Sequence, residues 1–356
     1  MVFEDPSRGR RRVVLRVALA IVALCVLTVG LFALGQSPAP RRTPLPGGAG
    51  VSLPTPLTAW RAPPAPAVTD APLSAAYAAR LRELDAEAEQ VARAVRGPAL
   101  PLPDGARMVF SVNAPSSHAS LRAHVARVSV VSPDWFRLPG PGCDVREQVD
   151  DVAHIAAAHP AMDLHPRVAN LDGDRWTSAE TSALLADPVA RDCAAARLAS
   201  RAIALRAEGL NVDLEALAPE DSAGLVAFVA ALRDRLHPRG LRVTVDVTFG
   251  DRAYDLARLA AVSDGVVLMA YDQHHPHSPP GPVATRAWIE RAVRGALTAV
   301  PPERLVVALG AYAYDWPRGI EGRALGTVEA LTLAARVGAT PLFVQGAQGL
   351  RFDYRD

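Results

Sequence analysis

Glu208-Gly209-Leu210-Asn211-Val212-Asp213-Leu214-Glu215 alternates apolar and polar side chains from Leu210 onward. Successive side chains of a strand point to opposite faces. Leu210, Val212 and Leu214 therefore share one face, and Asn211, Asp213 and Glu215 share the other. In a barrel one face looks inward and the other packs on helices. The apolar set suits the helix side, so the three polar groups line the interior, with Glu215 at the open end. Carboxylates in such a strand are costly unless they are hydrogen-bonded or used. Asp213 and Glu215 cannot both ionise cheaply, and the expected result is one acid that keeps its proton. A purely structural polar cluster is the competing reading of the same residues.

The flanks repeat a strand-helix alternation. Short apolar runs predict strands at 107–112, 127–131, 167–170, 209–215, 241–247, 265–271 and 304–311. Ala/Arg-rich stretches predict helices at 121–126, 145–158, 190–207, 222–236, 253–261 and 285–299. This pattern indicates an α/β fold with parallel strands, either a doubly wound sheet or a (β/α)8 TIM barrel. Asn113, Asp134, Asp172, Glu215, Asp246, Tyr271 with Asp272, and Tyr312 all fall at or near strand ends, as barrel chemistry requires. No Gly-rich phosphate loop follows the first strand. The barrel, over 104–356, is the expectation.

Upstream the texture differs. Arg8, Arg10, Arg11, Arg12 and Arg16 precede an uncharged stretch over 17–35 that contains Cys25. Its length suits a transmembrane signal anchor over 1–35, with a cleaved signal as the alternative. In either case the arginines stay in the cytoplasm and the remainder is exported. Recurrent prolines over 36–72 predict a semi-stiff linker. A helix is expected within 73–97, over 74–96, either docked on the barrel or part of the stalk.

Over 356 residues the chain carries 38 Lys+Arg, all of them arginine, against 37 Asp+Glu, a net charge of +1. That balance argues against nucleic acid as a partner. Three cysteines exclude a disulfide-built scaffold. Cys143 and Cys193 are read either as a pair or as two free thiols. His274, His275 and His277 read as a solvated loop, so no metal and no other cofactor is expected. Asp172-Gly173-Asp174 lacks an EF-hand continuation and reads as a turn presenting Trp176.

The run ending at Glu215 resembles the signature strand of glycoside hydrolase family 18, the chitinase-like barrels, with pattern Asp-Gly-x-Asp-x-Asp-x-Glu. The resemblance implies that Glu215 protonates the glycosidic oxygen. It implies that Asp213 orients the substrate's 2-acetamido group, whose carbonyl oxygen attacks the anomeric carbon. Glu208 and Asn211 depart from the pattern, each standing where Asp is usual. Leu268-Met269-Ala270-Tyr271-Asp272 resembles the family's Met-x-Tyr-Asp. That match implies a hydroxyl from Tyr271 to the acetamido carbonyl, a sugar contact from Asp272 and a pocket wall from Met269. The segment 308–316 resembles the family's seventh strand, offering Tyr312 and Trp316 to sugar rings. The likeness spans roughly 107–356 and is nearest to spore-cortex hydrolases and to bacterial fusions with a deacetylase and a glycosyltransferase, which Ser132-Pro133-Asp134-Trp135-Phe136 resembles in particular. It implies an N-acetylglucosamine-containing glycan as partner and further domains beyond Asp356. No Trp follows Trp316, and 350–354 resembles a hairpin before an eighth strand, so the barrel is expected to lack that strand. Asn211 and the absent strand leave open a glycan-binding or scaffolding domain in place of an enzyme.

Overall fold

The computed structural model describes residues 75–356 except Arg96, Asp104, Pro139, Pro141, Asp174, 318–320 and Asp356; for 75–78 it describes the backbone alone. The expected anchor and Pro-rich linker lie outside these residues. No helix among those described is long and apolar enough to cross a membrane.

Helix α1 (Ala75–Ala94) buries Ala88 and packs Leu84, Val91 and Ala92 against the main core. Glu87 meets Arg191 at 3.5 Å, and Asp85 and Glu89 meet Arg258 at 3.2 and 3.3 Å. The helix is therefore docked on the barrel. The chain after it is strapped down: Arg233 donates to the carbonyls of Gly97 and Pro98 at 3.0 and 2.9 Å, and the Leu100 N–H donates to Asp264 at 2.7 Å.

In chain order the strands are β1 (Met108–Ser111), β2 (Val130–Pro133), β3 (Phe136–Arg137), β4 (Arg146–Glu147), β5 (Asp163–Leu164), β6 (Arg167–Ala169), β7 (Leu171–Asp172), β8 (Arg175–Trp176) and β9 (Gly209–Asp213). They continue with β10 (Arg242–Val247), β11 (Gly265–Met269), β12 (Leu305–Ala308), β13 (Tyr312–Asp315), β14 (Arg323–Gly326), β15 (Leu342–Val344) and β16 (Gly349–Arg351). The helices after α1 are α2 (Pro115–His124), α3 (Val152–Ala158), α4 (Ser178–Ala186), α5 (Pro188–Ala204), α6 (Ser222–Leu236), α7 (Leu256–Val262), α8 (Arg286–Ala296) and α9 (Thr327–Arg336).

β2 with β3, and β5 with β6, are single staves interrupted near Pro133 and Pro166, where the missing N–H breaks the ladder. With these joined, β1, β2/β3, β5/β6, β9, β10, β11 and β12 are consecutive parallel neighbours, as in a TIM-type barrel. Among the described residues no strand bridges β12 and β1, and Phe110, Val307 and Leu309 are exposed along those edges. The core lies between staves and helices and includes Leu210, Val212, Leu214, Leu225, Phe228 and Leu232, all almost fully buried. A Cβ on Gly209 would meet the Arg242 carbonyl at 2.7 Å and the His165 ring at 2.8 Å, so glycine is required at this approach.

Several expected bounds shift. The strand expected at 127–131 begins at Val130, because Val125–Arg127 closes a 3-10 turn. The strands expected to reach 215, 271 and 311 end at Asp213, Met269 and Ala308. Just beyond the first two ends, Ala216 and Asp272 take positive φ of 55° and 61° and turn the chain out of the ladder. The helix expected at 145–158 begins at Val152, since Arg146–Glu147 pairs with β3. Helix α4 and the β13–β14 hairpin are additions to the expected elements. The stretch 350–354 does enter a hairpin, β15 with β16. A second small core of Leu325, Ala330 and Leu333 supports this carboxyl-terminal part.

Candidate active site

On β9, Asn211 and Asp213 are almost fully buried, and Glu215 lies half-buried just past the strand end. The Glu215 backbone is held by Asn170, whose side-chain nitrogen donates to the Glu215 carbonyl at 2.8 Å while its oxygen accepts the Glu215 N–H at 2.9 Å. The buried Tyr254 hydroxyl donates to the Leu214 carbonyl at 2.9 Å. The acid therefore sits on a strand end pinned from two sides. Glu208 accepts the Leu164 N–H at 2.8 Å, a structural role at the opposite end of the strand.

Asn211 donates to Thr244 at 3.0 Å and to Asp246 at 2.8 Å on β10. Asp213 faces the other neighbour: Arg167 on β6 donates to its Oδ2 at 2.6 Å, and its buried Oδ1 has no partner. Arg167 also pairs with Asp134 at 2.8 Å, and Asp134 in turn with Arg137, so charges alternate along Arg137–Asp134–Arg167–Asp213.

Burial, and next the Asp213 charge, push the Glu215 carboxyl well above the ordinary carboxylate range, while Arg167 pulls it back. Burial and Asp213 do the same to Asp246. Burial also raises Asp213 itself, opposed by Arg167. Burial works to raise Asp134, but Arg167 and Arg137 outweigh it and hold that carboxyl low. The cluster keeps protons on Glu215 and Asp246, and negative charge settles beside the guanidiniums.

Past β11, Tyr271 and Asp272 form the next wall, above a buried Met269. Burial, then the Asp213 charge, hold the Tyr271 phenol well above its usual range, so it is a donor. Asp272 Oδ1 accepts the hydroxyls of Tyr312 and of Tyr314, the latter at 2.7 Å, and its Oδ2 is buried without a partner. Tyr271, Tyr312, Tyr314 and Trp316 follow one another as ring neighbours, with centroids 6.0, 5.4 and 5.6 Å apart.

No family model matches the chain. It is 27% identical over 228 residues to a putative sporulation-specific glycosylase, YdhD, of Bacillus subtilis, covering 61% of this chain and 54% of that protein. It is 28% identical over 161 residues to a cortical fragment-lytic enzyme of the same organism, covering 41% and 37%. The chain thus spans about half or less of the length of these curated relatives. Its fold superposes on a chitinase from Chromobacterium violaceum with TM-score 0.63 at 29% identity, covering 70% of this chain and 82% of the other. The barrel is chitinase-like. The same fold recurs in the spore cortex-lytic enzyme SleL of Bacillus cereus, with TM-score 0.64 at 19% identity, covering 73% of this chain and 64% of that one. In sequence and architecture the chain resembles glycoside hydrolase family 18.

Within this chitinase-like barrel, Asn211, Asp213 and Glu215 lie on or just past β9, and Met269, Tyr271 and Asp272 at or just past the end of β11. The Tyr271 phenol feels the charges of Asp213 and Glu215, and Tyr312, on β13, reaches Asp272 through its hydroxyl. Trp316 extends the wall through Tyr314. Contributors not assigned a role from sequence include Arg167, Asn170 and Tyr254, with Arg137, Thr244 and Tyr314 beside them. Arg167 stands on the strand beside β9, on the interior face and in register with Asn211, so a register-matched reading of that strand would have found it. Asn170 lies one residue past that strand and reaches the Glu215 backbone from there. Trp135 of the Ser132–Phe136 motif is core, its indole donating to Asp150 at 2.9 Å, while Asp134 belongs to the site. Among the described residues no cluster suits a metal. His274 bonds the Pro282 carbonyl at 2.9 Å and His277 pairs with Glu321. Cys143 and Cys193 are joined by a disulfide, settling the open pairing. Asp172 and Gly173 form the turn between β7 and β8 that leads to Trp176.

Proposed function

We propose that this chain is a glycoside hydrolase that cleaves a β-linked, N-acetylglucosamine-containing polymer with retention and substrate assistance. The observation that carries the reading is Glu215: a pinned, half-buried acid holding its proton beside a guanidinium-paired Asp213. Glu215 protonates the leaving glycosidic oxygen. The acetamido carbonyl oxygen attacks the anomeric carbon, oriented through its N–H by Asp213 and through its oxygen by the Tyr271 hydroxyl. Water then opens the cyclic intermediate, giving its proton to the Glu215 carboxylate. Asp272, Tyr312 and Trp316 hold sugar hydroxyls and ring faces, with Met269 beneath and Asn211 shaping the floor.

The natural polymer in this proposal is peptidoglycan or an exopolysaccharide, met on the exported side of a membrane that the 17–35 stretch anchors. The disulfide supports an oxidising compartment. Further deacetylase or glycosyltransferase domains past Asp356 belong to the same proposal. The unbridged edges of β12 and β1 favour a second reading, a glycan-binding module without turnover. One assay separates the two: release of reducing ends from N-acetylglucosamine oligomers by the wild type and by Glu215→Gln. The hydrolase reading expects turnover and a loss of roughly 100-fold or more in the variant, the scale of general acid catalysis. Equal rates remove Glu215 from its role, and binding without cleavage by either protein establishes the second reading.

A further inference from the structure

Two interior residues of adjacent staves divide the work around Asp213 unusually. Asn211, its neighbour on the same face of β9, bonds away from it toward β10. Asp213 is gripped from the opposite side, by a single Arg167 nitrogen on one oxygen, while its other oxygen is buried and unpartnered. Arg167 cannot swing freely, because its Nε and Nη2 are both engaged by Asp134 Oδ1 at 3.1 and 2.8 Å. Asp134 is fixed by Arg137.

We propose that Arg167 is the positioning residue for Asp213: it clamps Oδ2 and leaves Oδ1 as the acceptor for a substrate acetamido N–H. This inference rests on the hydrolase reading. Asp134 sets how much of the Arg167 positive charge Asp213 feels.

The groups facing Asp213 are Arg167 on β6, Asp134 and Arg137 around β3, Asp246 on β10, Glu215 beyond its own strand, Tyr271 beyond β11, and Tyr254. Arg167 favours the anion at position 213 and Asp134 disfavours it. Catalysis needs that anion, so the acid limb of kcat/KM reports on it. Arg167→Met is expected to move the acid limb to higher pH by about one unit, roughly a tenfold loss at a fixed acidic pH. Asp134→Asn is expected to move it to lower pH. Arg167→Lys keeps the charge without the fork, and is expected to leave the limb near its wild-type position while lowering kcat. A merely structural role for Arg167 predicts no opposed displacement.

Limbs that move together, or do not move, overturn the proposal. If Arg167→Met does not fold, Asp134→Asn and Arg167→Lys carry the comparison. If the wild type cleaves no N-acetylglucosamine oligomer, the hydrolase reading fails, and Arg167 is judged separately by carboxyl ¹³C NMR of aspartate-labelled protein, with Asp213→Asn for assignment. There Asp213 is expected to titrate at higher pH in Arg167→Met and at lower pH in Asp134→Asn. Unchanged titration overturns the clamp whatever the activity.

Discussion

Asn170→Ala removes both bonds that hold the backbone of Glu215 and nothing else that touches the acid. The two bonds measure 2.8 and 2.9 Å, and Asn170 is fully buried. A net value of about 1 kcal/mol for each bond sets a lower end of about 2 kcal/mol for the stability loss. A penalty of up to about 3 kcal/mol for each of the two backbone groups left dry and unpaired sets an upper end of about 6 kcal/mol. The lower end applies if a water enters the vacated space and bridges the two groups. The backbone carbonyl of Asn170, which accepts the Thr177 N–H at 2.8 Å, is untouched by the change. The change carries a catalytic cost as well. Ala216 sits at φ 55°, so the chain turns immediately after the acid and Asn170 is the side chain that sets where it turns. A displacement near 1 Å costs about 100-fold, so kcat is expected to fall about 10- to 100-fold. Urea unfolding at fixed slope measures the first effect, and reducing-end release well below the transition temperature measures the second. Asn170→Asp keeps the acceptor arm and turns a negative charge toward the Glu215 carbonyl, so it too is expected to be impaired. An Asn170→Ala protein within about 0.5 kcal/mol of the wild type, the ordinary scale of surface substitutions, and of unchanged kcat would refute the reasoning.

Other outcomes follow from features away from the cleft. The Cys143–Cys193 bridge closes a sequence separation of 50, and replacing both cysteines with serine is expected to cost about 2–4 kcal/mol in denaturant unfolding; an unchanged midpoint would show that closing this loop contributes nothing. His165 is buried with both ring nitrogens unpartnered, and burial, then Arg242, pull its pKa down to about 3. Its folded-state value lies below the unfolded one near 6.5, so stability is intact above about pH 6.5 and drains as pH falls toward 3. Between pH 6 and 4 the wild type is expected to lose about 2 kcal/mol more than His165→Leu in urea titrations; parallel curves would reject that account.

Alternation within one strand was enough to place Asn211, Asp213 and Glu215 inside the barrel, because the face of a side chain follows from parity alone. Tyr271 and Asp272 were legible for a similar reason, as polar residues closing an apolar run. Arg167 was not, since its meaning lies in which residue stands opposite, and register between parallel staves is set by the whole barrel. Asn170 read as the end of a strand, and only the turn after Glu215 makes it a clamp. The divided staves at Pro133 and Pro166 were present in the sequence as prolines, yet each was absorbed into a neighbouring apolar run or loop. Helix α4 escaped because it is short and its apolar side is confined to Leu184, Leu185 and their neighbours. The domain contacts of α1 were undecidable from its own periodicity: what docks it are Arg191 and Arg258, more than a hundred residues later.

Many of the bridges that tie distant parts of this molecule together are guanidinium: Arg191 and Arg258 grip α1, Arg233 holds the segment after it, and Arg167 links staves in the barrel interior. A guanidinium does not give up its proton within any range a protein survives. The cationic half of this scaffold is therefore constant under alkali, and every ionic response of the fold to changing acidity comes from carboxyls, imidazoles and phenols. Reagents aimed at side-chain amines find no target on it, since the chain has no lysine.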